Sequence, residues 1–286
     1  MLMHTPVPTD ETPDAGTSFV VRRRGQWRID WSEKRTNWIG NSAILDAVQA
    51  LANQCAGRLV LDVGAGNMPY RGVLAEQGCS YESLDWPSSI HVRGGRHTYY
   101  AEADQIPVSD ARFDVVLCTE VLEHLTNPRQ TLEEFCRVLK PGGILLLTVP
   151  FLHGEHETPH DHYRFTRYCL AKLLDEAGFE VERLESRSEL IGTILVLNNQ
   201  WLNLFWKRGS RKLRMRWLNS IYNPLIFLPM IVPQWICRRI FRHRPAGGWR
   251  DRWWQLTEGW TSGFVVRAIR RDTAQQETDN IASGPV

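Results

Sequence analysis

The stretch LDVGAGNMPY at 61–70 decides how this chain is read. RLVLDVGAG (58–66) is a short apolar run that reaches a carboxylate, Asp62, and then breaks at Gly64-Ala65-Gly66. A buried strand that runs into small residues lets the backbone turn tightly and approach a ligand. The free N–H groups that open the next helix face the same point. One G-x-G is a weak sign, because any tight turn can use it, so its neighbours must supply the meaning.

Those neighbours are in place. SYESLDW (80–86) reads as a second strand that ends on Asp85 and Trp86, about twenty residues after the glycine turn. A carboxylate there can accept both hydroxyls of a ribose. Further on, EADQIP (102–107) places Asp104 and Gln105 in a turn. Asp104 can accept from an exocyclic adenine amine, and Ile106 can cover the base. The dinucleotide fingerprint G-x-G-x-x-G fails, because its last position is Pro69, and a phosphate-binding loop is excluded by the absence of G-K-[ST].

Outward from this stretch, strand and helix patterns alternate. NSAILDAVQALANQ (41–54) has helical spacing, with Asn41 or Ser42 as its cap. YRGVLAEQG (70–78) is a helix closed by Gly78. HTYYA (97–101) is a third strand. FDVVLCT (113–119) is apolar throughout, as a parallel strand covered on both faces requires. PRQTLEEFCRVLKPGG (128–143) is a helix, ILLLTVP (144–150) a strand, TRYCLAKLLDEAGF (166–179) a helix, and EVERLESRSEL (180–190) and GFVVRAIRR (263–271) strands. The predicted fold class is α/β: a doubly wound, mostly parallel seven-stranded sheet with a long helical insertion before the last strand.

Four ordered motifs, LDVGAG, the strand end at Asp85, ADQIP followed by FDVVLCTEVLEHL, and LKPGGILLLTVP, span about 58–190. Together they resemble the class I S-adenosylmethionine-dependent methyltransferases, in particular a type 11-like small-molecule group. The resemblance implies a Rossmann-like methyltransferase fold and S-adenosyl-L-methionine as cofactor. It places Asp62, Gly64, Ala65 and Gly66 at the methionine end, Asp85 and Trp86 at the ribose, Asp104, Gln105 and Ile106 at the adenine, and Thr119 or Glu120 under the sulfonium. The family motif often carries a third glycine where this chain has Met68. NMPYR (67–71) resembles a variant in methyltransferases associated with cell-surface glycan clusters, which implies a sugar or lipid-linked glycan acceptor; the alternatives are another small-molecule or lipid acceptor, or a non-catalytic membrane-associated binding protein of the same fold.

HGEHETPHDHYRFTRY (153–168) follows the predicted fifth strand directly, on the side where such sheets bind ligands. Three readings stay open. His156-x3-His160 has a zinc-like spacing, but no cysteine or second histidine pair follows, so the expectation is no metal. His153, His156 or His160 can act as a general base, oriented by Asp161 or Glu155. Alternatively the stretch is a hydrogen-bonded lid, with Thr166 capping the next helix and Asp161 paired with Arg164. PHDHYRFT resembles a stretch that recurs after the same strand in the methyltransferase group. His124, in EVLEHL, is a further candidate base.

Charge is unevenly spread. The chain has 286 residues and a net charge of +2, yet 191–271 holds fifteen Lys/Arg against two Asp/Glu and eight of the twelve tryptophans. Within it, the apolar runs 191–205 and 221–236 fall short of a spanning helix, and the second carries three prolines. Short apolar stretches flanked by Arg and Trp suit an element that lies in a membrane interface against anionic lipid. The other readings are a soluble lid and a dimerisation element. Nucleic acid is not expected as a partner. The six scattered cysteines suit reduced thiols, and no signal peptide is expected, so the expected location is the cytoplasm, peripheral on the inner face of the membrane. The resulting division is a disordered 1–20, a core at 21–190, a basic Trp-rich insertion at 191–262 (with 191–252 as the membrane-facing part), the last core strand at 263–271 and a disordered tail at 272–286.

Overall fold

Continuous apolar strands need cover on both faces, and the chain supplies it. The computed structural model describes residues 19–30, 37–88, 97–212, 232–240, 248–257 and 259–272. Chain order gives β1 (Val20–Arg23), β2 (Gln26–Ile29), α1 (Trp38–Ala52), β3 (Leu59–Val63), α2 (Arg71–Glu76), β4 (Ser80–Asp85), β5 (Tyr99–Tyr100), β6 (Phe113–Thr119), α3 (Pro128–Val138), β7 (Leu139–Pro150), α4 (Arg167–Glu176), β8 (Phe179–Ser186), α5 (Leu190–Lys212), α6 (232–240), α7 (Gly248–Thr257) and β9 (Gly263–Arg270). The seven-stranded sheet has the order β5-β4-β3-β6-β7-β9-β8. It is parallel except for β9, which runs antiparallel between β7 and β8.

The alternation of side chains divides each strand between two cores. Leu61, Val63, Val116, Cys118, Leu145 and Leu147 pack with Leu132 and Phe135 of α3 and Leu170 and Leu174 of α4. Val60, Val115, Leu117, Ile144 and Leu146 pack on the other face with Ile44, Leu45, Val48 and Leu51 of α1 and Val73 and Leu74 of α2. The chain moves outward from β3 to β4 and β5, then returns to lay β6 on the other side of β3. The carboxyl ends of β3 and β6 therefore flank the switch point, where open sheets bind ligands.

Several boundaries differ from the sequence expectation. Helix α3 stops at Val138 rather than 143, because Pro141 has no N–H and Gly142 sits at φ +71. Leu139 already pairs with Phe113, so β7 starts five residues early. Helix α1 begins at Trp38, and neither Asn41 nor Ser42 caps it. Its Ile39 N–H instead donates to Gln234 Oε1 of α6 at 3.2 Å, a partner 195 residues away. Phe19 and Val20, assigned to the disordered lead-in, are packed in the second core. The β1–β2 hairpin turns through Arg24 and Gly25, both at positive φ, and lays Trp27 against Gly72. Residues 1–18, 273–286 and most of the apolar run 221–236 lie outside the described residues.

The described residues of the insertion up to Thr257 form the three helices α5, α6 and α7. One side of α5 is buried: Val196 packs with Ile39 of α1 and Cys237 of α6. Arg238 pairs with Asp46 of α1 and lies 5.6 Å over the Trp38 ring. Among the described residues no helix is long and apolar enough to cross a membrane.

Candidate active site

The turn after β3 is fixed by backbone geometry. Gly64 and Gly66 have φ of +66 and +51, a region that costs a residue with a side chain about 1–2 kcal/mol. A Cβ on Gly64 would collide with Val121, which follows β6, so the turn is pressed against the neighbouring strand end. Met68, in the place of the third family glycine, also adopts a left-handed φ of +49. The conformation persists here without the residue that adopts it most easily.

Asp85 braces this turn. One carboxylate oxygen accepts from Gly66 N–H at 2.6 Å and the other from Trp86 N–H at 2.7 Å. Each oxygen keeps a further acceptor position for a hydroxyl. Asp62 is buried on the α1/α2 side, where Tyr81 Oη donates to it at 2.6 Å. Burial pushes its carboxyl up to about 7, against the lowering effect of that hydrogen bond. Asp104 is half-buried, and Gln105 and Trp86 are exposed. Ile106 is buried in the first core, so its side chain lies beneath the turn rather than open to a base.

The end of β6 holds Thr119, half-buried, and Glu120, whose φ is +56. Thr148 Oγ1 donates to one Glu120 oxygen at 3.0 Å, and the buried Arg187 guanidinium lies 2.9 Å from the other. Sequence reading missed Arg187. Its space depends on Gly263, where any Cβ would strike the guanidinium. It also missed His97, which is fully enclosed 3.9 Å from Asp85, with both ring nitrogens unpartnered among the described residues. Burial lowers the His97 pKa.

The histidine loop is fastened to the turn after β6. His162 and Tyr163 N–H both donate to Glu123 O, at 2.9 and 3.2 Å, and Tyr163 Oη donates to Thr126 O. Arg164 grips both oxygens of Asp161 at 2.7 Å, and holds that carboxyl well below the usual range. Thr166 caps α4 by accepting from Cys169 N–H. The expected Asp161–Arg164 pair and Thr166 cap are both present, so the lid reading describes how the loop is built.

The candidate bases do not all converge. His156 lies between His124 and His153, with ring centroids at 4.8 and 4.9 Å. His153 Nδ1 meets Gly154 O at 2.8 Å, so Nδ1 carries the proton and Nε2 keeps a lone pair. Burial holds its pKa below the ordinary value. His156 is raised, chiefly by the nearby Glu123 carboxylate, with burial opposing. His160 is exposed and turns away to meet Trp86 edge-on at 5.6 Å, while its carbonyl accepts from His124 Nδ1 at 2.7 Å. Glu155 is exposed and takes no part, so the orienting carboxylate is Asp161, 3.3 Å from His156 Nδ1.

The carboxyl ends of β3, β4 and β6 thus place Asp62, Asp85 and Glu120 around a turn rich in left-handed residues. A buried carboxyl raised to about 7 there is short of a positive neighbour, which suits a ligand with a cationic end.

Comparison with known proteins agrees with this geometry. The family described as a methyltransferase domain matches residues 40–184. A Mycolicibacterium smegmatis protein named "Probable S-adenosylmethionine-dependent methyltransferase" is 33% identical over 186 residues, which is 59% of this chain and 70% of that protein. A chain of the complex between the Haloferax volcanii Trm112 methyltransferase activator and a methyltransferase superposes with a TM-score of 0.50 at 16% identity, over 84% of this chain and 92% of its own. The [4+2]-cyclase SpnF gives a TM-score of 0.50 at 17% identity, over 91% and 88%. At such identities the structural likeness establishes the fold alone.

Proposed function

The chain belongs to the methyltransferase-domain family, and on that footing we propose that it methylates a hydroxyl oxygen of a sugar or lipid-linked glycan. The enzyme is an S-adenosyl-L-methionine-dependent methyltransferase. The cofactor supplies an electrophilic methyl group on a positive sulfonium.

The protein supplies position, shielding and a proton acceptor. Gly64, Ala65 and Gly66 offer backbone to the methionine end, Asp85 accepts from the ribose, and Trp86, Asp104 and Gln105 border the adenine. Asp62 and Glu120 provide negative charge for the cationic end. His153 takes the hydroxyl proton through Nε2, and His156, held beside Glu123 and Asp161, orients the acceptor. The observation that carries this reading is the packing of His124, His156 and His153 edge to edge on a loop tied to the β6 turn. His160 sits at the cofactor rim against Trp86.

Calorimetry with S-adenosylhomocysteine tests the cofactor part, with micromolar binding expected and no binding at millimolar ligand contradicting it. Mass spectrometry of glycans and glycolipids from a deletion strain tests the acceptor. A missing methyl ether on a sugar supports it, and a missing methyl on nitrogen or carbon overturns it.

The insertion suits an acceptor held at a surface. Ile191, Ile194, Leu197, Trp201 and Leu204 recur every three or four residues of α5 and are exposed, as are Trp235, Ile236 and Ile240 of α6. This stripe lies opposite the side that packs on α1. With the excess of Lys and Arg that the sequence carries over 191–271, it supports a peripheral seat on an anionic leaflet, at the inner face of the membrane. Co-sedimentation with anionic vesicles at low salt tests this, and protein that stays in the supernatant refutes it.

A further inference from the structure

Three groups that normally accept hydrogen bonds point at one place. Glu123 has no solvent exposure, and neither of its carboxylate oxygens has a partner among the described residues. Its Oε1 lies 3.6 Å from His124 Nε2 and 3.7 Å from His156 Nε2. Both separations exceed a hydrogen bond. They are close to the roughly 3–3.5 Å that separates two ligands each about 2.1 Å from one ion.

The tautomers strengthen the point. His124 Nδ1 is engaged by His160 O, so in the neutral ring its Nε2 turns a lone pair toward Glu123, and a neutral His156 with its proton on the Nδ1 that faces Asp161 at 3.3 Å does the same. A carboxylate facing two imidazole lone pairs is repelled unless a positive charge sits among them, and either a metal cation or the proton of a charged His156 supplies it. The outer partners have the form that orients metal-bound histidines: a main-chain carbonyl behind His124, and behind His156 a carboxylate that is itself clamped by Arg164.

We propose that Glu123, His124 and His156 bind one divalent first-row transition cation, and that this cation receives oxygens of the acceptor. The mutual ligand distances, all within 4.8 Å, close around a single ion. Two imidazoles favour manganese, iron, cobalt or zinc over magnesium or calcium, which prefer all-oxygen sites. Three protein ligands leave positions open, and Glu157, 4.0 Å from His124 Nε2, stands at the exposed edge. A hydroxyl that reaches the cation has a lowered pKa, and its proton passes to Nε2 of the adjacent His153. The inference deepens the hydroxyl reading, because a cation that takes two neighbouring oxygens selects a polyol.

The test uses the full chain, stripped with chelator and titrated with Mn2+ alone, free ion being read by electron paramagnetic resonance. One Mn2+ per chain is expected. Glu123→Gln and His156→Ala should each weaken uptake at least about tenfold, and Asp161→Asn by about 10–100-fold. His162→Ala, an exposed histidine outside the cluster, should bind like the wild type. Circular dichroism and S-adenosylhomocysteine binding report that each variant is folded. No stoichiometric uptake by the wild type overturns the proposal, as does uptake by folded Glu123→Gln or His156→Ala equal to the wild type. Because neither cofactor nor acceptor is present in the titration, a wrong acceptor assignment leaves the result standing.

Discussion

The turn after β3 and the loop after β7 both sit at the carboxyl ends of central strands, yet they are held by different means. The glycine turn is fixed by its own backbone: left-handed residues at 64, 66 and 68, and Asp85 accepting main-chain N–H groups. The histidine loop is fixed by bonds to Glu123 O and Thr126 O, carbonyls 37–40 residues away, and within itself by the Arg164–Asp161 clamp. One is local geometry in service of a common cofactor. The other is a long-range assembly, which the proposed function assigns to the acceptor.

The sharpest way to break this division is His153→Ala. It should lower kcat by about 10²–10⁴-fold with unchanged S-adenosylhomocysteine affinity. Equal losses in both measurements would mean that the two regions are not separable. Gly64→Ala attacks the other side. Left-handed strain and collision with Val121 should cost about 2–5 kcal/mol in chemical denaturation and abolish cofactor binding, and Val121→Ala in the same chain should recover part of the stability.

A narrower effect should come from Asp62. Its carboxyl is raised above the unfolded value, so its stability contribution is fully present below about pH 4 and is lost as pH climbs through about 7. Asp62→Asn should flatten that fall, leaving the cofactor-free variant about 4 kcal/mol more stable than the wild type at pH 8 relative to pH 4. Smallest of all, Met68→Gly should relieve a left-handed residue and stabilise by about 0.5 kcal/mol, after the added freedom of the unfolded chain is counted.

The same contrast explains what could be read in advance. Local patterns marked the strands of the seven-stranded sheet, the glycine turn, the Asp85 strand end and the Thr166 cap, because each depends on residues a few positions apart. The β1–β2 hairpin escaped because each strand is only four residues long and VVRR does not alternate, although Arg24-Gly25 was a usable turn signal. Arg187 looked like an ordinary strand charge, and its burial depends on Gly263, 76 residues on. Glu123 was not among the residues the sequence singled out. Only the folded loop shows that its carboxylate lies between the rings of His124 and His156.

The antiparallel strand β9 has a consequence for synthesis and folding. It is made last among the nine described strands, yet it belongs between β7 and β8, whose pairing edges face each other only through it. While the helical insertion is still emerging from the ribosome, both edges are unpaired, and β7 is among the most apolar segments of the chain. Completion of the sheet is therefore a late, long-range event with high contact order. A nascent chain halted before residue 263 would present two open strand edges, a ready substrate for chaperones or for aggregation.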